Sequence, residues 1–347
     1  MLNYSVAELR KLKKMIMMKM WKIGMKWKCR AENYCAVALI MMALAGCSGG
    51  RAEEGKPGET ADGREQMVSE VKRIADGANG TVGVAMVCEG DTMTINNEGR
   101  YAMMSVFKLH ECLAVANALE SSGISLDTLI NVRAAEMDRQ TWSPMNDVYR
   151  EGDFTIPASE LMRRALIDSD NNASNLLFSH VVTPSETDAF IRTIAPDTCF
   201  AIRYSEAEMK AQHERAYDNY STPLSAALLI AKVFRETIIS SDNQELIRTW
   251  LSQVTTGHDR LGAAVEVSKG ITFAHKTGSG YRNDAGKLMA FNDVAYFELA
   301  DGRWYSLSVM IRDFAGTDDE AAKVMAEISQ TVYRHMATTS KDEANSK

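Results

Sequence analysis

The sequence predicts a mixed α/β (α+β) fold, with one antiparallel sheet built from both ends of the chain and a long helical segment inserted between them. Near the front, two β-type runs, "TVGVAMVC" (81–88) and "TMTIN" (92–96), are joined by Glu89-Gly90-Asp91, which suits a hairpin turn. Strand patterns return only at 271–279, 292–300 and 303–311, and Asp301-Gly302 between the last two is a strong hairpin signal. From Ser105 to about residue 250 the pattern is mostly helical. One globule of two lobes follows, and clefts between such lobes are common ligand sites.

The elements follow in order. Residues 64–77 form an amphipathic helix, with Met67, Val71 and Ile74 at helical spacing, and a final helix covers roughly 318–336. The compact domain is expected at 64–338, with the sheet lobe from about 64–104 and 250–338. The inserted lobe, about 105–249, is expected to be all-helical, and 339–347 reads as a disordered tail. At 347 residues the chain is long enough for a sizeable core.

The front of the chain reads differently. Residues 10–30 carry nine Lys/Arg, followed by the unbroken apolar run "CAVALIMMALAG" at 35–46. Twelve residues is too short to span a bilayer but suits the hydrophobic region of a secretory signal. The run ends in Leu44-Ala45-Gly46-Cys47, which looks like a bacterial lipobox, so 1–47 is expected to be a signal peptide and Cys47 a lipidated N-terminus. Residues 48–63 are Gly- and charge-rich and are expected to be a flexible tether. Export to the periplasm-facing side of a Gram-negative bacterium follows from this reading.

Removing residues 1–47 leaves 30 Lys/Arg against 44 Asp/Glu, a formal charge near −14. That balance argues against nucleic acid or an anionic membrane surface as partner. Cys88, Cys112 and Cys199 could form one disulfide and a free thiol, or remain three buried thiols. No Cys-x-x-Cys occurs and the six His are scattered, so neither a metal nor another cofactor is expected.

Three short motifs carry the chemistry. Ser105-Val106-Phe107-Lys108 places a Ser and a Lys three residues apart on one helix face, where a neutral Lys could take the Ser proton and the helix N-terminus could serve an oxyanion. Ser69-Glu70-Val71-Lys72 has the same spacing but lies among charged residues of the first helix, as a solvated face would. Ser-Asp-Asn occurs twice. At 241–243 it opens a helix with Glu245 close behind, as a capping box would, whereas at 169–171 it lies in the middle of the helical lobe. Lys276-Thr277-Gly278-Ser279-Gly280 ends a strand, where a Lys and hydroxyls can hold a carboxylate. Ser-Asp-Asn and Lys-Thr-Gly are each expected only on the order of 0.05 times per chain, so the ordered set is specific where its parts are not.

In these motifs the sequence resembles the class A serine β-lactamases, over about residues 64–338. The likeness extends to "TWSPM" (141–145), "TTGHDRLGAAV" (255–265) and "NDVAYFELADGRWY" (292–305), and looks closest to the CfxA-type cephalosporinases. It implies a serine β-lactamase/transpeptidase-like fold and hydrolysis of cephalosporins or penicillins through an acyl-enzyme, which confers resistance. Ser105 is then the nucleophile, Lys108 its proton acceptor or relay, and Ser169 the donor to the β-lactam nitrogen. Asn171 would hold the substrate's acylamino group, and Lys276, Thr277, Ser279 and Arg260 its carboxylate, with Trp142 beside the pocket. The N–H groups of Ser105 and Ser279 would form the oxyanion hole.

A penicillin-binding D,D-peptidase acting on peptidoglycan stem peptides, or a penicillin sensor, shares these motifs but lacks a base for deacylation. Counting back 17 residues from Pro223 places Glu206 at the family's base, with Glu208 as the alternative. The loop departs from the family: its usual Asn is Lys210, and its usual Arg–Asp brace corresponds to Tyr204 and Asn219. A small-molecule substrate and a monomer complete the expectation.

Overall fold

The computed structural model describes residues 59–265 and 270–344. The proposed signal peptide, Cys47 and most of the tether lie outside the described residues. In chain order the elements are α1 (Glu59–Asp76), β1 (Thr81–Cys88), β2 (Asp91–Ile95), β3 (Tyr101–Ala102), α2 (Phe107–Glu120), β4 (Leu129–Val132) and α3 (Met145–Val148). Then come β5 (Phe154–Pro157), α4 (Ala158–Ile167), α5 (Asn171–His180), α6 (Pro184–Ile194), β6 (Phe200–Ala201), α7 (Glu206–Ala211) and β7 (Tyr220–Ser221). The chain continues through α8 (Pro223–Arg235), α9 (Ser241–Ser252), β8 (Thr272–Ser279), β9 (Leu288–Glu298), β10 (Trp304–Phe314) and α10 (Asp318–Ala344).

The five-stranded sheet has the order β2-β1-β10-β9-β8 and is antiparallel throughout. The two ends of the chain meet where β1 pairs with β10, Thr81 opposite Arg312 through Cys88 opposite Tyr305. Alternation along β1 decides its faces. Val82, Val84 and Met86 point into the core closed by Met67 and Val71 of α1 and Met325, Ile328 and Val332 of α10. Ala85 and Val87 point the other way, onto Ala227 of α8. Gly302, with φ 86°, supplies the left-handed turn residue between β9 and β10.

The inserted lobe centres on α2, whose side chains from Phe107 to Ala116 are all buried. A helix covered all round must pack against others on every side, and α4, α5, α6 and α9 surround it. The lobe is not purely helical, which corrects the expectation. It holds a β4–β5 pair, and its β6 and β7 join β3, just ahead of the lobe, in a small sheet ordered β3-β7-β6. Strands of two to four residues carry too little periodicity to be read from sequence. Two boundaries also differ: α1 begins at Glu59, inside the expected tether, and α10 runs to Ala344, into the expected tail.

Cys112 is buried, Cys88 half-buried and Cys199 exposed, and all three are free thiols. The second Ser-Asp-Asn opens α9 without the expected capping box, because the N-cap is Ser240 and its side chain makes no capping bond. The carboxylate of Glu120, at the end of α2, does the work instead by accepting from Ser240 N at 3.0 Å and Asn243 Nδ2 at 3.4 Å. Glu120→Ala should therefore lower the thermal midpoint, by the equivalent of at most ~1 kcal/mol for a lost cap. Ser241→Ala should leave it unchanged. Thermal denaturation of the two variants side by side checks the assignment.

Candidate active site

Ser105 lies in a 3₁₀ turn, Met104–Val106, that leads into α2, and Met104 before it takes φ 46°, a region L-residues seldom adopt. The turn packs along the free edge of β8, the last strand of the sheet. Gly278 makes this possible: a Cβ there would collide with Met103 O and sit 3.2 Å from Ser105 N. Only glycine lets the backbones around Ser105 and Ser279 approach this closely.

The first Ser-Asp-Asn reaches the same place from the helical lobe. Ser169 takes φ 54°, and Asp170 caps α5 by accepting from Ala173 N. Asp170 is buried and also accepts from Ser143 Oγ and Met145 N, which ties the "TWSPM" segment to the triplet. Capping and site-building are thus one function of the same three residues.

Two fully buried lysines join the motifs. Lys276 Nζ donates to Ser169 Oγ at 2.9 Å and to Thr277 O at 3.0 Å. Lys108 Nζ donates to Ser169 O at 2.7 Å and to Asn171 Oδ1 at 2.6 Å. It also pairs with Glu206 Oε1 at 3.1 Å, and the same oxygen accepts from Ser105 Oγ at 3.0 Å. The link between Ser105 and Lys108 therefore runs through Glu206. Burial, and then the neighbouring Lys108 charge, pushes the Lys276 ammonium well below its ordinary range.

Glu206 and Glu208 separate cleanly. Glu206 is the first residue of α7 and is buried, with its carboxylate turned into the cleft. Glu208 is exposed and closes a capping box, accepting from Ser205 N at 2.8 Å while Ser205 Oγ accepts from Glu208 N. The loop is braced without an ion pair between positions 204 and 219. Asn219 Oδ1 accepts from Arg203 N at 2.7 Å and Tyr204 N at 2.9 Å, and its Nδ2 donates to Tyr204 O at 2.7 Å. Its carbonyl also accepts from Met103 N at 2.8 Å, two residues from Ser105.

Arg260 completes the far end. It is buried, stacks on Phe291 at 3.7 Å from the ring centroid and donates to Ser279 Oγ at 2.6 Å and Asn292 O at 2.7 Å. Burial lowers its proton affinity from the ordinary guanidinium value. Thr277 Oγ1 meets Thr256 Oγ1 at 2.6 Å. The cavity above these groups measures about 410 Å³, and Ser105, Ser169, Asn171, Glu206, Arg260, Thr277 and Ser279 all line it. Trp142, largely exposed, forms the rim and donates from Nε1 to Asp168 O. Lys108 and Lys276 lie beneath the floor. The decoy pair lies elsewhere: Ser69 is exposed on α1, and Lys72 is ion-paired with Asp76 at 2.6 Å.

The model of the β-lactamase enzyme family matches residues 66–336. The chain belongs to that family. A β-lactamase of Phocaeicola vulgatus is 42% identical over 275 residues, covering 79% of this chain and 86% of that one. The extended-spectrum β-lactamase PER-1 of Pseudomonas aeruginosa is 30% identical, covering 80% and 89% respectively. A class A β-lactamase structure from Bacteroides cellulosilyticus superimposes with a TM-score of 0.75 at 26% identity, over 80% of this chain and 99% of that one. The chain is a class A serine β-lactamase with the serine β-lactamase fold, and its activity is β-lactam hydrolysis rather than D,D-peptidase action.

Sequence reading passed over several groups around this β-lactamase site. Thr256 lies inside one quoted stretch and Tyr281 directly follows another, but neither carries a signal of its own. Asn219 stood out only as a missing brace. Glu111 gave no signal, since it simply continues α2 three residues after Lys108. Its Oε2 accepts from Ser174 Oγ at 2.7 Å while its Oε1 is buried without a partner.

Burial raises the proton affinity of the Glu111 carboxyl well above its ordinary range. A carboxyl whose proton affinity rises on folding stabilises the fold fully below its unfolded pKa, and this contribution is lost as pH rises toward the folded value. Glu111→Gln keeps the shape without the charge. Its thermal midpoint should exceed the parent's at pH 7, by a margin that vanishes near pH 4. Thermal denaturation across that window measures the difference.

Proposed function

We propose that Ser105 attacks the β-lactam carbonyl and that Lys108 receives its proton, with Glu206 bridging the two. The observation that carries this reading is the single carboxylate oxygen of Glu206, 3.0 Å from Ser105 Oγ and 3.1 Å from Lys108 Nζ. A base in hydrogen-bond reach of the nucleophile is what activation needs. The N–H groups of Ser105 and Ser279 are the oxyanion donors, and their closeness across Gly278 supports that role. Ser169 protonates the leaving nitrogen, with Lys276 beneath it as the proton's source.

The substrate is a small β-lactam. Its carboxylate lies toward Lys276, Thr277, Ser279 and Arg260, its acylamino group toward Asn171, and its side chain passes Trp142. Cephalosporins are favoured over penicillins, on the sequence's likeness to the CfxA-type cephalosporinases. Glu206 then activates the water that releases the acyl group, with no metal or organic cofactor taking part. In Glu206→Gln the amide oxygen can still bridge Ser105 to Lys108, so acylation proceeds through Lys108 and a slow cephalosporin should leave a stoichiometric adduct, its mass persisting for minutes on intact protein. Glu208→Gln should turn over at the parent rate. Adduct trapping by Glu208→Gln alone would shift the base by two residues, and a persistently acylated parent would favour the peptidase or sensor.

The protein acts after export, as a monomer anchored through Cys47. The support is the cationic stretch, the apolar run and the Leu-Ala-Gly-Cys ending. Among the described residues no helix is long and apolar enough to cross a membrane, and a stable anchor needs more than one acyl chain. In cell fractionation the parent should sediment with membranes, while Cys47→Ser should be soluble or unprocessed. Recovery of the parent wholly in the soluble periplasmic fraction would contradict the anchor.

A further inference from the structure

We infer that Lys210 is a positioning residue: by pairing with Asp138 it holds α7 so that Glu206 faces Ser105, and the pair thereby sets the rate of acyl-enzyme release. The inference rests on the deacylating role proposed for Glu206. Helix α7 is only six residues long and carries Glu206 at its start and Lys210 one turn later on the same face. Whatever fixes Lys210 therefore fixes Glu206.

Lys210 Nζ meets Asp138 Oδ2 at 2.6 Å across the cleft wall, with both side chains about two-thirds buried. Asp138 is a prepared partner. Its Oδ1 accepts from Gln140 N at 2.8 Å, its own N–H donates to Asn172 Oδ1 at 2.9 Å, and its carbonyl accepts from Asn172 Nδ2 at 3.0 Å. Asn172 follows Asn171, whose Oδ1 holds Lys108. The ion pair thus references the helix of Glu206 to the segment that positions Lys108. The adjoining Lys210 ammonium also holds the Asp138 carboxyl below its ordinary range.

The rest of the loop is tied elsewhere. Ala207 N donates to Asn175 Oδ1 at 3.0 Å, and the His213 ring stacks on Tyr281 with centroids 3.8 Å apart. The Lys210 ammonium is committed to Asp138, so an amide's part in seating the water is not available to it in this geometry. An ion pair still about one-third open to water adds little to stability. Its effect belongs in geometry, where a displacement of about 1 Å can cost up to ~10²-fold in rate.

Lys210→Met, Asp138→Asn and the double variant, made in the full chain, test this with a chromogenic cephalosporin. The acylation burst should stay within about twofold of the parent, because Lys108 keeps its bonds to Ser169 O and Asn171 Oδ1 and remains the acceptor of the Ser105 proton, while deacylation slows about tenfold in each single variant. The double variant should be no slower, since both changes break one interaction. Lys210→Arg, which keeps the pair, should retain parental turnover. Slowing by Lys210→Met alone would place the ammonium on the water itself and overturn the inference. Parental rates in both variants, or equal loss of acylation and deacylation, would overturn it too. A parent that acylates without turning over would instead refute the role of Glu206.

Discussion

Two ammonium groups and one carboxylate, all removed from water, set the terms for everything around the site. Lys108 and Lys276 are fully buried, and Glu206 is almost so. Removing one such ion from water costs several kcal/mol unless partners repay it. The repayment is specific. Lys108 has a carboxylate, an amide oxygen and a carbonyl, whereas Lys276 has a hydroxyl and a carbonyl and gives up proton affinity. Remove Glu206 from this arrangement and Lys108 keeps only neutral partners. The loop that carries Glu206 is therefore as much a part of the charge balance as of the chemistry.

That loop shows how the same mechanical task can be met with different bonds. An ion pair between positions 204 and 219 would hold the ends of the loop by charge. Asn219 holds them through backbone groups, and its own carbonyl continues the tie to Met103 beside the nucleophile. A buried neutral amide with both ends satisfied avoids the desolvation cost that a buried charge would carry. The capping box of Ser205 and Glu208 then fixes where α7 begins, and so where its first side chain points.

The sheet contributes rigidity at its edge. Because β8 pairs with β9 on one side only, its other edge is free to accept the turn bearing Ser105, and Gly278 removes the atom that would block the contact. The helical lobe meets this edge through Ser169, whose left-handed backbone turns the triplet toward Lys276. One strained residue on either side of the cleft, Met104 and Ser169, marks where the packing of the two lobes overrides local preference.

By itself the sequence determined the strand runs and their hairpins, the helical insertion, and the motif residues Ser105, Lys108, Ser169 and Lys276. These are local patterns, readable because alternation, turn residues and short spacings survive in one dimension. It could not determine that Ser105 and Lys108 communicate through Glu206, since those groups are 101 residues apart for the nucleophile and the bond exists only once the loop is folded. It left Glu206 and Glu208 as alternatives, because a buried carboxylate and a helix cap are the same residue type. It cast Asn219 and Lys210 only as departures, because what a side chain holds depends on which backbone or carboxylate tertiary packing brings beside it. It missed Glu111 altogether, since a glutamate inside a helix reads as surface until packing closes over it.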